Sequence, residues 1–502
     1  MNRLCSFYRF FVVGVCMICA YMLLPPCAVA QIPMHHSVVT PQLPDSADVA
    51  RAADKHFWRA TAEVMGFNIG LWGFDRFVQH GDFAYITLKS VEENLAHGYN
   101  WDNDKLGTNM FAHPYTGSLY FNAARSNGFN FWQSELFSIF GSAMWETFME
   151  CEYPSTNDVI ATPIGGAVLG ETLYRTSDVV LDDRTTGWER FGREAAAFII
   201  SPMRGINRIV TGEAWRVRST TGRVFGRPDV SVRLSAGVKA LEFQGRLRDT
   251  HVGFAAQVDV EYGDRFAVKS VKPYDYFNVR AEIQVMREQP LLSQVEIKGR
   301  LLAREFMESN SAHASVGLYQ HFDFYDSDTI KRYDKVPYKL GIPACLGAGV
   351  MYRDGDRRRW VFDGYAHANL VVLGSILSDH YQTDERNYNW ASGFSLKAGC
   401  NIVFDRNKFS FSLHHSYYRL FSWKGYRYGT DLSKVNFRTL NVMGDHSCAS
   451  FNVTEARFDF RLLHRLYATL SLTSHIRSTH YRDYASVLSS TGTLRAMLTY
   501  KL

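Results

Sequence analysis

From residue 230 onward, apolar and polar positions alternate with a period of two. Val230, Val232, Leu234, Ala236, Val238 and Ala240 fall on one side, and Ser231, Arg233, Ser235 and Lys239 on the other. The split recurs in "HVGFAAQVDVEY" (251–262), whose polar side carries Gln257, Asp259 and Glu261, and in "FNVRAEIQV" (277–285), with Asn278, Arg280, Glu282 and Gln284. Successive side chains of a strand point to opposite faces, so these are strands with one apolar and one charged face. They are longer than the ~5–6 residues usual in a soluble sandwich and match the roughly 9–11 that a tilted strand needs to cross a bilayer. Turns such as "FDRNKF" (404–409) are short, and aromatic residues gather near strand ends, as at Tyr417, Tyr418, Phe421 and Trp423. In "LRAMLTYKL" (494–502), Leu494, Ala496, Leu498, Tyr500 and Leu502 share a face, the form in which an outer-membrane barrel presents its last strand for assembly. The pattern predicts an antiparallel transmembrane β-barrel of about 12 strands over residues 225–502, an even number being expected.

Upstream, over 55–215, the period becomes helical. Helices are predicted at 62–78, 131–150, 158–180 and 188–210, and each interrupts its apolar run with charged or amide groups, so none reads as a transmembrane helix. Their polar positions form stripes at steps of three and four. Ser118, Asn122 and Arg125 lie on one, followed in the next helix by Ser134, Ser138, Ser142, Glu146 and Glu150. Asp158, Thr162, Gly166 and Gly170 make a third, continued by Glu171, Arg175 and Asp178. A solvated helix face is usually rich in Lys and Glu. These stripes are rich in Ser, Thr, Gly and Asn, which suits close helix contact or a confined polar pocket.

The stripes supply a candidate catalytic set. His113 as general base, Glu146 or Asp158 as its orienting carboxylate, Ser118 as nucleophile and Asn122 or Arg125 as oxyanion or phosphate donors would suit a lipid or glycolipid hydrolase. Against this, Ser118 lies in Thr-Gly-Ser-Leu-Tyr and lacks the second glycine of a nucleophile elbow. The remaining polar positions, Asn127, Glu150, Ser155, Asn157, Thr162, Glu171 and Arg175, belong to a binding or structural network. In "ECEYPSTNDVI" (150–160), Ser155 or Asn157 can cap the helix that follows Pro154, with Asp158 in its first turn. No metal-binding spacing such as H-x-x-x-H occurs around His113, and His414 and His415 point to opposite faces of a strand, so no metal and no cofactor are expected.

The first thirty residues read as a secretory signal: Arg3 and Arg9, an apolar run from Phe10 to Leu24, then Ala28-Val29-Ala30 as the cleavage pattern. Residues 31–54 are a linker. Four of the eight cysteines (Cys5, Cys16, Cys19, Cys27) lie in the signal, which leaves Cys151, Cys345, Cys400 and Cys448 too scattered for a zinc site or a dense disulfide framework. A net charge of +5 over 502 residues, with acids and bases interspersed, gives no support for a nucleic-acid partner.

"NWDNDKLGTN", "HPYTGSLYFNAARSNG" and "FWQSELFSIFGSAMWETFMECEYPSTNDVIATPIGGAVLGETLYR" together resemble the bacterial domain-of-unknown-function family 3943, over about residues 98–210. The resemblance implies an exported protein that pairs this segment with a β-rich C-terminal region, and it brings no activity with it. The whole reads as an α+β chain, a helical segment followed by an outer-membrane barrel. The helical part is expected on the periplasmic side or inside the barrel, where it plugs, caps or braces it in a structural, transport or envelope-maintenance role. Outer-membrane lipids and the assembly machinery are the expected partners.

Overall fold

Twelve antiparallel strands pair in chain order and close on themselves, β1 against β12. The computed structural model describes residues 43–502 apart from 103, 246–249, 268–271, 310–311, 331–333, 355–359, 384–385, 405–406 and 437–441. The expected signal peptide, most of the linker and the centre of the 404–409 turn lie outside the described residues. The strands are β1 Val230–Phe243, β2 His251–Tyr262, β3 Phe277–Val285, β4 Leu292–Glu308, β5 Ala312–Asp326 and β6 Lys339–Asp354. They continue with β7 Trp360–Leu377, β8 Tyr388–Phe404, β9 Phe409–Ser422, β10 Ser447–Arg461, β11 Leu466–Tyr481 and β12 Val487–Lys501. Val238 of β1 stands opposite both Phe254 of β2 and Ala496 of β12, so the ladder has no free edge there and its backbone groups are paired on both sides.

The two faces of this sheet invert the arrangement of a soluble protein. Val238, Phe254, Leu396, Leu472 and Leu494 are exposed on the outside, while Lys239, Asp259, Glu282, Ser395 and Arg495 are buried inside. A buried charge must find a partner. Inside the barrel Lys239 and Arg495 both meet Glu282, at 2.5 and 2.7 Å, and Arg280 meets Glu455 at 2.7 Å. Arg233 and Glu261 share this inner face with Asp259. Tyr418 departs from the expected aromatic girdle. It is fully buried in the lumen near Tyr325 and Phe451, because adjacent residues of a strand cannot both face outward. Phe421 and Trp423 do lie outside. Residues 264–267 fold inward, where Arg300 donates to the carbonyls of Arg265 (2.7 Å) and Ala267 (2.9 Å).

Two compact units divide the chain: residues up to Tyr99 with Phe111–Asp229, and Asn100–Met110 with Val230–Leu502. The stretch 100–110 therefore packs with the barrel, although the sequence places it in the helical part. Trp101 stacks on Trp390 (6.1 Å between ring centres) and meets Trp423 edge-on at 5.1 Å. Tyr388 donates to the Asp104 carbonyl and receives a hydrogen bond from the Asn109 amide, each at 2.7 Å. Met110 lies against Gly341, where a side chain would collide with its sulfur. Gly341 directly follows Leu340, the partner of lumen-facing Tyr325. It therefore points to the outer face, and the stretch straps the outer wall.

The helical unit contains α1 Ser46–Ala52, α2 Phe57–Phe74, α3 Leu88–His97, α4 His113–Ser126, α5 Phe131–Phe148, α6 Thr156–Val180, α7 Gly187–Ile200 and α8 Pro202–Val210. No described helix is long and apolar enough to cross a membrane. The single helix expected at 188–210 is two, because Pro202 lacks an N–H and forces Ser201 out of the helical region, to φ −137° and ψ 85°. The unit is also wider than 55–215. Asp48 of α1 accepts hydrogen bonds from the Thr220 hydroxyl (2.7 Å) and the Gly222 amide (2.9 Å), which ties the tail to the first helix.

Candidate functional site

The polar stripes meet at the packing of α4, α5 and α6. Gly117 of α4 lies against the Thr162 carbonyl of α6, and Gly166 of α6 lies against the Gly117 backbone, so a Cβ at either position would collide with main chain. Gly141 of α5 takes the ring of Tyr120 in the same way. At these distances short polar side chains bond directly to the neighbouring backbone: the Ser138 hydroxyl donates to the Gly117 carbonyl at 3.0 Å and the Ser142 hydroxyl to the Asp158 carbonyl at 3.4 Å. α4 stops at Gly128, whose φ of 86° favours glycine.

One cluster sits at the C-terminal end of α4. The Arg125 guanidinium holds the Glu171 carboxylate at 2.7 and 3.0 Å, and Arg175, one turn on along α6, adds a third contact at 2.8 Å. Burial alone would raise the Glu171 carboxyl, yet Arg125 and Arg175 hold it below the usual carboxylate range. The Asn127 amide bridges the Ala123 carbonyl and Glu63, both at 2.8 Å, and Glu63 also accepts from Asn207 of α8 at 2.8 Å.

A second cluster gathers at the start of α6. Ser155 is its N-cap, its hydroxyl accepting from the Asp158 amide (3.4 Å) and donating to the Asn157 carbonyl oxygen (2.8 Å). The Asn157 amide in turn donates to Asp158 Oδ1 at 2.9 Å, and His113 Nε2 stands 3.5 Å from that same oxygen. Glu146 of α5 accepts the Ser155 backbone N–H at 2.8 Å. Burial, then the neighbouring Glu150 and Asp158 carboxylates, push the Glu146 carboxyl well above its ordinary range.

His113, Glu146, Ser155, Asn157 and Asp158 thus converge, with Glu150 close enough to repel Glu146. Ser118 does not take part as a nucleophile: it is fully buried and donates its hydroxyl to the Tyr115 carbonyl at 2.6 Å in its own helix. Asn122 is also fully buried, which keeps its amide from a ligand, and among the described residues neither end of that amide has a hydrogen-bond partner. Glu146, Asp158 and Thr162 are 2–3 % exposed, and His113 is partly exposed while its Nε2, facing Asp158, is buried. Among the described residues Cys345, Cys400 and Cys448 are free thiols.

A third network was not anticipated. Arg190 and Arg208 share Asp183 (3.1 and 2.7 Å) and Glu194 (3.1 and 2.8 Å), joining α7, α8 and the turn before them. The spacing of Arg190 and Glu194 at i and i+4 was the one signal for it. Arg204 meets Asp178 at 2.5 Å, and Asp178 also receives the amides of Val224 and Phe225, at 3.2 and 3.0 Å. In the barrel, the lumen keeps a cavity of about 250 Å³ with a polar, charged wall.

No curated protein matches the chain. Among solved structures it is similar to a NanC porin, at 8% identity and a TM-score of 0.26 over 54% of this chain and 100% of that one. It is similar also to the outer membrane channel DcaP of Acinetobacter baumannii, at 8% and 0.22 over 55% and 97% of the two chains. Scores this low carry no argument, and the barrel rests on its own strand pairing. Residues 98–203 match the model of the domain of unknown function DUF3943, from the strap on the barrel wall through the three-helix polar core. Over that segment the chain carries a DUF3943 domain.

Proposed function

We propose that the protein is an outer-membrane β-barrel with a structural, transport or envelope-maintenance role, in which the DUF3943 helices are a bracing element rather than an enzyme. The observation that carries this is the inverted barrel: leucine, valine and phenylalanine outside, ion pairs within. In water such an outer face would be a severe aggregation hazard, whereas in lipid it is required. Most connections agree, short at the end where β1 begins, as at 462–465, and longest at the other, as at 423–446, with 263–276 the exception at the short end. Outer-membrane lipids then contact the apolar band, and the amphipathic β12 is the strand offered to the assembly machinery.

The helical unit supports bracing because many of its polar groups, among them Arg125, Ser138, Ser142, Glu146 and Glu171, bond to neighbouring helices or to the segment before the third. A hydrolase would need the His113–Asp158 pair to activate water, since the Ser118 hydroxyl is committed elsewhere. The test is His113→Ala in cells. Bracing expects wild-type outer-membrane lipid composition and, at most, less of the heat-modifiable folded barrel. A changed lipid profile at an undiminished barrel level would establish the hydrolase instead.

A further inference from the structure

We propose that the lumen of the barrel binds a small anion, a carboxylate or a phosphate, at the ammonium group of Lys298. This rests on the closed barrel and its cavity alone and is independent of the role of the helices.

Charges on the cavity wall are matched in pairs. Arg233 and Arg280 meet Asp259 at 2.9 and 3.2 Å, Arg353 meets Asp363 at 2.5 Å, and Lys397 meets Asp323 at 2.6 Å. Arg265 pairs with Glu261, and Lys501 with Asp459 at 3.4 Å. Lys298 breaks the pattern. Among the described residues it has no carboxylate at ion-pair distance, and its Nζ stands 4.1 Å from the centre of the Tyr365 ring. Glu296, two positions away on the same face, is occupied as an acceptor by the Tyr325 hydroxyl and by the Gln294 amide at 2.7 Å.

An ammonium group inside a protein without a counterion is costly. An aromatic face offsets part of that cost, and an anion in the adjoining space would offset the rest. Of the carboxylates on the cavity wall, Asp259, Glu261, Asp323, Asp363 and Glu455 are each held by a cation, so among the described residues Lys298 is the position left to meet a negative ligand. At about 250 Å³ the space falls below the roughly 300–1,000 Å³ of sites for drug-sized molecules. The ligand is therefore a short carboxylate or a phosphate with few other atoms.

The experiment uses the full-length barrel in detergent, titrated calorimetrically with sodium acetate and with sodium phosphate, with sodium chloride at matched ionic strength as reference. Acetate, phosphate or both should bind and raise the unfolding midpoint beyond chloride, and the anion that does so identifies the chemistry. Lys298→Met should weaken binding tenfold or more, with heat-modifiable mobility as its folding control, while Lys298→Arg keeps it within a few-fold. Glu296→Gln, which removes the neighbouring negative charge, should tighten binding several-fold, and it decides the matter if Lys298→Met yields no folded barrel. Failure of both anions to exceed chloride, or equal binding by Lys298→Met, overturns the proposal, as does an unchanged affinity in Glu296→Gln.

Discussion

The helical unit and the barrel both turn charged groups inward and leave large apolar side chains outside, yet they are held together by different means. In the barrel the backbone is satisfied by the ladder, with twelve strands paired on both sides, and the inner charges fill a lumen the sheet has already closed. In the helical unit each helix satisfies only its own backbone, so contact between helices depends on side chains: glycines that admit a neighbour's main chain, and the ion pairs around Glu171. Trp132, Leu136 and Ile139 of α5 remain exposed, as Leu396 and Leu472 do on the barrel. The polar interior is therefore secondary to a closed sheet, whereas in the helix bundle it shares the packing with an apolar cluster that includes Val64, Leu119, Phe129, Phe137 and Met203.

The sharpest way to break this contrast is to remove one shared carboxylate from each unit. Glu171→Ala removes the buried carboxylate that Arg125 and Arg175 share, which should cost about 3–5 kcal/mol and unfold the helical unit at lower denaturant, as read by protease resistance. Glu282→Ala strands Lys239 and Arg495 in the same way, but the barrel should still run as a folded species in an unheated gel. Equal loss of both units would refute the distinction. On the outer face, Leu396→Arg should destabilise the barrel by about 2–4 kcal/mol in lipid, measured from its unfolding midpoint in vesicles. A neutral result would remove the membrane reading.

A pH series sharpens the helical side. Burial pushes the Glu135 carboxyl of α5 up to about 8 from 4.5. A carboxyl raised in the folded state favours folding under acid, and that contribution is lost as the pH climbs from its unfolded value toward about 8. Denaturation midpoints should fall across that window, and Glu135→Gln should flatten the slope. The smallest effect is local: Ser155→Ala removes the N-cap of α6 and should cost about 1 kcal/mol in chemical denaturation, with lipid composition unaltered.

Much of this was legible in the residues. Alternation announced the strands from Val230 and their inner charges, because a strand's faces depend only on parity along the chain. It failed at Tyr418, where knowing that two neighbours must diverge did not say which would turn inward. The stripes on α4, α5 and α6 were visible for the same local reason, and Ser155 as N-cap could be read from the residue after Pro154. The role of Ser118 could not, since its hydroxyl serves a carbonyl three residues back and the spacing of a stripe is silent on what faces it. Asn100–Met110 was the larger surprise, sequence-adjacent to helices but packed on the barrel wall through Trp101 and Asn109.

By itself, then, the sequence determined the periodicities: which segments are strands, which are helices, and which faces are polar. Those are set by backbone geometry over a few residues. Only the tertiary structure decided that the stripes face one another, that burial raises the Glu146 carboxyl while Arg125 and Arg175 lower that of Glu171, and that among the described residues Lys298 in the lumen has no carboxylate at ion-pair distance. Each of these depends on which distant groups share a low-dielectric space, and no local spacing carries that information.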